Sequence, residues 1–252
     1  MNSGTISTSV QHGVGIVSFY HPLSNSFPSD LLDQLAKAFD DFDLNSSVLS
    51  IVLKSEGEKT FCAGASFDEL LEINDLEAGE KFFSGFAKVI NAMRKCSKPI
   101  IGQVQGKAVG GGVGLISACD YVFAVDKAAV KLSELSIGIG PFVIEPAVKR
   151  KIGVAAMSEL SFSATKWFSA SWAYDKGLFT ELVNSQQVLE DQVQSYAELL
   201  TQYSPDALQE MKSVLWKGTE DWDVLLKERA SISGRLVLSA FTKKALARFK
   251  KK

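Results

Sequence analysis

Glu134 stands in Lys131-Leu132-Ser133-Glu134-Leu135-Ser136-Ile137-Gly138, after an apolar run and before a glycine-bearing turn. A carboxylate at a half-buried strand end has its pKa raised by desolvation, as a general acid/base at neutral pH requires. A solvated glutamate at a turn is the competing reading. Two small-residue loops lie upstream, Phe61-Cys62-Ala63-Gly64-Ala65-Ser66 and Val109-Gly110-Gly111-Gly112-Val113-Gly114. Adjacent glycines between an apolar strand and an apolar helix lose extra backbone entropy on folding, so bare backbone must be needed there, for positive φ or for close approach. A helix beginning at such glycines presents free N–H groups and the positive end of its dipole. The pattern reads either as an oxyanion site built of main chain or as a tight, closely packed strand-to-helix turn.

Other chemistries fit poorly. The chain has two histidines, His12 in a turn and His21 before a proline, which argues against a histidine-based triad. No G-x-S-x-G occurs. Gly106-Lys107 is followed by Ala108, and Ile101 stands where a P-loop would begin with glycine. The glycine run lacks G-x-G-x-x-G spacing, so a dinucleotide site is not indicated. Metal sites lack histidine and paired cysteine, and no tight acidic cluster replaces them, so neither a metal nor a separate cofactor is expected.

Composition sets the frame. With 252 residues, 46% hydrophobic and 22% charged, the chain has the make-up of a soluble protein with a sizeable core. A net charge of −2 gives no global case for nucleic acid or membrane partners. The closing Lys250-Lys251-Lys252 reads as a solvated tail. Cys62, Cys96 and Cys119 are widely spaced in apolar contexts, as expected of buried thiols in a reduced, cytoplasmic protein. The first residues lack a basic segment followed by an apolar core, so no signal peptide is expected.

The elements that must position these residues follow from periodicity. Residues 5–20 read as two strands broken at Gln11-His12-Gly13. Ser29 is placed to cap a helix striped by Leu31, Leu32, Leu35, Phe39 and Phe42. Strands are expected over 48–53, 99–105, 121–125 and 129–132, and a long helix carrying Phe82, Phe83, Phe86, Val89, Ile90 and Met93 ends near Cys96. Residues 59–70 read as a loop feeding a helix. From about residue 144 the pattern is helical, with spans 144–152, 154–162, 169–176, 186–203, 205–216, 221–231 and 235–249. Alternating strands and helices give an α/β class. No period of 20–50 residues is visible, which argues against a repeat architecture.

Phe61-Cys62-Ala63-Gly64-Ala65, Lys98-Pro99-Ile100-Ile101, Gly110-Gly111-Gly112, Ala118-Cys119-Asp120, Ser133-Glu134 and Gly138-Ile139-Gly140-Pro141 occur in this order, and Leu23-Ser24-Asn25-Ser26-Phe27 precedes the first helix. This ordered set resembles the crotonase, or enoyl-CoA hydratase/isomerase, superfamily. The resemblance implies a right-handed, ClpP-like spiral of ββα units over residues 1–195, with the acyl-CoA site. A C-terminal helical trimerisation region over 196–252 would complete it, giving a homotrimer or a dimer of trimers. It implies that the main-chain N–H groups of Ala65 and Gly111 hold the thioester oxygen. Such donors are worth most as charge grows on that oxygen. By the same resemblance Lys59 lies near the CoA phosphates, the backbone at Ala63 faces the adenine, and Phe67 and Phe142 contact the substrate. Glu134 matches the glutamate that moves a proton at the α or γ carbon.

Two departures matter. The second glutamate of two-carboxylate hydratases falls at Gly114, and Pro141-Phe142-Val143-Ile144-Glu145-Pro146 replaces the usual glycines after the proline. Glu145 is expected at a helix cap or on the surface. The combination resembles bacterial methylglutaconyl-CoA hydratases of leucine breakdown. The expected reaction is hydration of an α,β-unsaturated acyl-CoA, 3-methylglutaconyl-CoA among them. The alternatives are a 3-enoyl-CoA to 2-enoyl-CoA shift, for which one glutamate suffices, and a catalytically silent CoA-ester-binding protein.

Overall fold

The computed structural model describes residues 4–248. The chain opens with a hairpin, β1 (Thr5–Gln11) and β2 (Val14–Tyr20), turned by His12 and Gly13 at positive φ. α1 (Ser29–Leu44) then buries Leu31, Leu32, Leu35, Phe39 and Phe42 along one stripe. From here strands come in pairs, each followed by helix. β3 (Ser50–Ser55) and β4 (Thr60–Cys62) precede α2 (Phe67–Glu72) and α3 (Leu76–Lys95). β5 (Ile100–Val104) and β6 (Lys107–Val109) precede α4 (Gly111–Ala118). β7 (Tyr121–Val125) and β8 (Ala129–Lys131) precede a 3-10 turn, Glu134–Ile137, and α5 (Glu145–Phe162). β9 (Phe168–Ser169), α6 (Ala170–Asp175) and β10 (Glu181–Val183) follow, then α7 (Gln186–Leu200), α8 (Pro205–Leu215), α9 (Trp222–Val237) and α10 (Ala240–Ala247).

The first strand of each pair enters a six-stranded sheet, β1-β2-β3-β5-β7-β10, and the second a four-stranded sheet, β4-β6-β8-β9. Each ββα unit therefore adds one strand to both sheets, and the chain advances as a spiral. Neighbours β2, β3, β5, β7 and β10 run parallel. Their centres are apolar and buried, as parallel sheets covered on both faces require. The three cysteines are free and buried, as expected. No described helix is long and apolar enough to cross a membrane.

Several local expectations need correction. Thr60–Cys62, read as loop, and Lys107–Val109, where no strand is expected, are strands of the second sheet. Three residues are too few to display an alternation. Ser29 is the first helical residue and Pro28 the cap; the Ser29 hydroxyl and N–H instead donate to the Glu69 carboxylate, at 2.6 and 3.1 Å. The spiral repeats structurally without a sequence period, because its helical insertions differ in length. α9 runs on to Val237, and Ser239 caps α10 by accepting from Thr242 N–H. The break expected between 152 and 154 is a kink inside α5 at Gly153, φ 76°. Residue 249 of the last expected helix and the Lys250–Lys252 tail lie outside the described residues.

Two of the contacts that dock the C-terminal helices on the spiral stand out. α9 crosses α3 where Gly79 meets Gly234; a Cβ on Gly79 would lie 2.8 Å from the Gly234 Cα. α8 delivers Lys212, only 5% exposed, onto Asp120 at 2.9 Å, and its ammonium also donates to the Lys98 carbonyl at 2.7 Å. The Asp120 carboxylate accepts in addition from Ile100 N–H and Trp216 Nε1, both at 2.8 Å. This ion pair ties the first sheet to the tail. Asp120→Ala leaves the Lys212 charge buried without its partner, and urea unfolding is expected to show a loss of about 3–5 kcal/mol.

Candidate active site

The two small-residue loops come together at the ends of β4 and β6. Each contains a glycine at positive φ immediately before the residue singled out in the sequence: Gly64, φ 93°, precedes Ala65, and Gly110, φ 53°, precedes Gly111. Only glycine occupies such backbone without strain. The three consecutive glycines are needed for different reasons. A Cβ on Gly110 would meet the Glu134 Oε1 at 2.9 Å, one on Gly111 the Phe86 ring at 2.2 Å, and one on Gly112 the Cys62 carbonyl at 2.7 Å. The flanking amides are engaged: Gly110 N–H donates to Lys131 O at 3.0 Å, Phe27 N–H to Gly64 O at 2.8 Å and Ser66 N–H to Phe27 O at 2.7 Å. The N–H groups of Ala65 and Gly111 donate to no acceptor among the described residues.

Glu134 opens the 3-10 turn that Gly138, φ 87°, closes. The turn is partly exposed, but the carboxylate is enclosed, and its Oε2 has no hydrogen-bond partner among the described residues. Burial pushes the pKa up to about 7, against the lesser opposing effect of backbone hydrogen bonds at Glu134 and Ser133. The cavity it faces, about 160 Å³, is lined by Ala63, Ala65, Phe67, Gly111, Glu134 and Phe142, with Phe82, Phe86, Ile137, Ile139 and Ile144 as apolar walls. Six of the seven expected site residues thus share one cavity. Lys59 does not line it; it is exposed at the start of β4. A larger open groove between α1 and α3 is lined by the Asp33–Lys88 and Lys95–Asp223 pairs and includes neither glycine loop.

Position 114 is fully packed. A Cβ on Gly114 would lie 2.5 Å from the Ile144 Cγ2, so the branched side chain of Ile144 occupies that space. Glu145, next in the chain, faces away from the cavity: it pairs with Lys149 at 2.8 Å, with Arg229 further off at 3.9 Å. Neither histidine lines the cavity, and His12 pairs with Glu198 on the surface. Ile144 belongs to the bulky segment that replaces the usual glycines, and it lines the cavity. Ser233 of α9 lines it too and has no signal in the sequence. Among the described residues no group of three or more His, Cys, Asp or Glu is placed to hold a metal ion.

Paired unengaged amides beside an apolar-walled carboxylate can stabilise a developing oxyanion and move a proton. The comparisons agree with that chemistry. Residues 9–252 match the family model described as enoyl-CoA hydratase/isomerase, so the chain belongs to the enoyl-CoA hydratase/isomerase family, the crotonase superfamily, and is an enzyme of hydratase/isomerase type. It is 28% identical over 239 residues to a short-chain-enoyl-CoA hydratase of Clostridium acetobutylicum, covering 94% of this chain and 90% of the relative. It is 29% identical over 211 residues to a peroxisomal Delta(3,5)-Delta(2,4)-dienoyl-CoA isomerase of Arabidopsis thaliana, covering 78% and 74%. The fold matches a crystal structure of enoyl-CoA hydratase from Bacillus halodurans with a TM-score of 0.89 and 22% identity, covering 96% of this chain and 99% of that one.

The raised pKa makes stability depend on pH. Folding favours the protonated Glu134, so its contribution is full below the unfolded value near 4.5 and is lost as pH rises through 7. Glu134→Gln removes that loss. The variant is expected to match the parent near pH 4 and to exceed it at pH 8 by up to about 3 kcal/mol in urea unfolding.

Proposed function

We propose that the chain shifts the double bond of a 3-enoyl-CoA to the 2 position. The observation that supports this reading is the packing at position 114. Ile144 fills the place from which a second carboxylate would activate water, which leaves Glu134 as the acid/base facing the cavity. In this reading Ala65 and Gly111 N–H groups hold the thioester oxygen. Glu134, as carboxylate, takes a proton from C2, and the C–H electron pair forms a C1–C2 double bond as the carbonyl π pair moves onto the thioester oxygen. This gives a dienolate whose charge the two amides hold. The protonated Glu134 then returns the proton to C4. As C4 is protonated, the oxygen pair re-forms the carbonyl, the C1–C2 pair becomes the C2–C3 double bond and the 3,4 π pair takes the proton. One group acts twice, and a pKa of about 7 suits both directions at neutral pH.

Hydration is the second reading, favoured by the hydratase among the relatives; it would require Glu134 alone to orient water and move the proton. Among the described residues no lysine or arginine lines the cavity, which favours an uncharged acyl chain over a carboxylated one such as 3-methylglutaconyl. The exposed Val154 and Phe162, beside Phe142 and Leu135 in a neighbouring groove, support burial against other copies in a homotrimer. Light scattering of the purified chain is expected to give three times the monomer mass or a multiple of it; a monomer would exclude that assembly.

One experiment separates the reactions. Purified protein is given 3-hexenoyl-CoA, crotonyl-CoA and 3-methylglutaconyl-CoA, and the enoyl-thioester absorbance is followed with product identification. A gain of absorbance from 3-hexenoyl-CoA is expected. A loss from crotonyl-CoA with a 3-hydroxyacyl product, and none of the former, would establish hydration instead. Glu134→Gln is expected to abolish turnover while CoA-ester binding survives; near-normal rates would remove Glu134 from the mechanism.

A further inference from the structure

Seven serines are buried among the described residues. In Ser18, Ser26, Ser50, Ser55, Ser66 and Ser117 the side-chain oxygen has a hydrogen-bond partner. Ser233 of α9, 1% exposed, has none among the described residues. A buried serine inside a helix ordinarily donates to the carbonyl four residues back, as Ser117 does to Val113 at 2.8 Å. Ser233 makes no such bond to the Arg229 carbonyl. A hydroxyl enclosed without a partner is costly, and native structures seldom keep one without a use.

This hydroxyl lines the catalytic cavity, where the other polar side chains are Ser133 and Glu134, adjacent in the chain at the reacting end. The crossing of α9 on α3 places Ser233 elsewhere. Its neighbour Gly234 packs on Gly79 and on the Glu80 nitrogen, whereas the Phe86 ring, further along α3, covers Gly111. From Gly79 to Phe86 the helix rises about 10 Å, so Ser233 stands toward the end of the cavity away from the Gly111 amide. Val237, one turn on and on the same face of α9, packs with Leu70, Phe82 and Ile139, which also line the cavity. The hydroxyl therefore opens among apolar side chains. A water held there needs more than one polar partner, and this part of the wall offers Ser233 alone.

We propose that Ser233 binds an uncharged oxygen, a hydroxyl or a carbonyl, on the distal part of the acyl chain, so that the ligands of this site are oxygen-bearing acyl-CoA esters. The assignment rests on the acyl-CoA reading of the cavity and narrows it. A serine hydroxyl donates to a carbonyl, and both donates to and accepts from another hydroxyl. A carboxylate suits the site less, since no lysine or arginine lines the cavity to offset its charge. A plain hydrocarbon chain leaves the Ser233 hydroxyl unpaired and is penalised for it.

The test uses saturated esters, which bind without turnover, so it does not depend on which reaction the site runs. Hexanoyl-CoA and octanoyl-CoA are compared with 6-hydroxyhexanoyl-CoA and 8-hydroxyoctanoyl-CoA by titration calorimetry. At one chain length or both, the parent is expected to bind the hydroxylated ester about tenfold more tightly than the plain one. Ser233→Ala is expected to weaken the hydroxylated ester about tenfold and to tighten the plain ester, because the unpaired hydroxyl is gone. A residue that only packs would not move the two esters in opposite directions. The proposal is overturned if the parent favours the hydroxylated ester at neither length. It is overturned equally if Ser233→Ala shifts both esters alike, which would put the hydroxyl on the CoA arm or in the packing. A parent that binds none of these esters removes the acyl-CoA reading itself, whereas one that binds plain and hydroxylated esters equally keeps that reading and loses only this assignment.

Discussion

Two main-chain N–H groups, those of the half-buried Ala65 and Gly111, have no acceptor among the described residues, and the chain around them fixes where they point. An N–H without an acceptor costs about 1–3 kcal/mol where water cannot reach it, so such a direction has to be held by neighbouring hydrogen bonds. At Ala65 this is done by neighbours: Phe27 N–H takes the Gly64 carbonyl and Ser66 N–H takes the Phe27 carbonyl, leaving the amide between them aimed elsewhere. At Gly111 the Gly110 amide is tied to β8, and the helix starts one residue later. The two loops are then pressed together, with the Gly111 nitrogen 3.7 Å from where a Gly64 Cβ would be. The second sheet exists on this scale: its short parallel strands end at Cys62, Val109 and Lys131, and each end hands over directly to a piece of the site.

That organisation explains what could be read from the sequence. Positions of special backbone geometry advertise themselves, because glycine is the residue that tolerates both positive φ and contacts such as the Phe86 ring on Gly111. Glu134 was legible through its match to the family's glutamate, since its turn context alone also admitted a solvated side chain. Long periodic helices such as α1 and α3 were equally plain. The strands of the second sheet were not, since two or three residues carry no period and their pairing partners lie 22 to 47 residues away. Packing across elements was also invisible: that Ile144 fills the space at Gly114, and that Ser233 reaches the cavity, depends on helices and loops distant in the chain.

The same packing decides how the carboxylate behaves. An enclosed Glu134 with one oxygen unpartnered is a poor contributor to stability above neutral pH, and the fold carries that cost through interactions elsewhere, among them the Asp120–Lys212 tie that holds the C-terminal helices on. Those helices in turn close the cavity: Val237 of α9 and Leu246 of α10 pack with Leu70, Phe82 and Ile139 on its outer side, and α10 covers the glycine that ends the Glu134 turn. The last helices therefore back the apolar residues that enclose Glu134, although Ser233 is their one residue among those described that lines the cavity itself. Burial is what raises the Glu134 pKa, so packing that keeps water from this side favours its protonated form. The docking of the C-terminal helices and the burial of Glu134 thus share one packing arrangement, across about a hundred residues of chain.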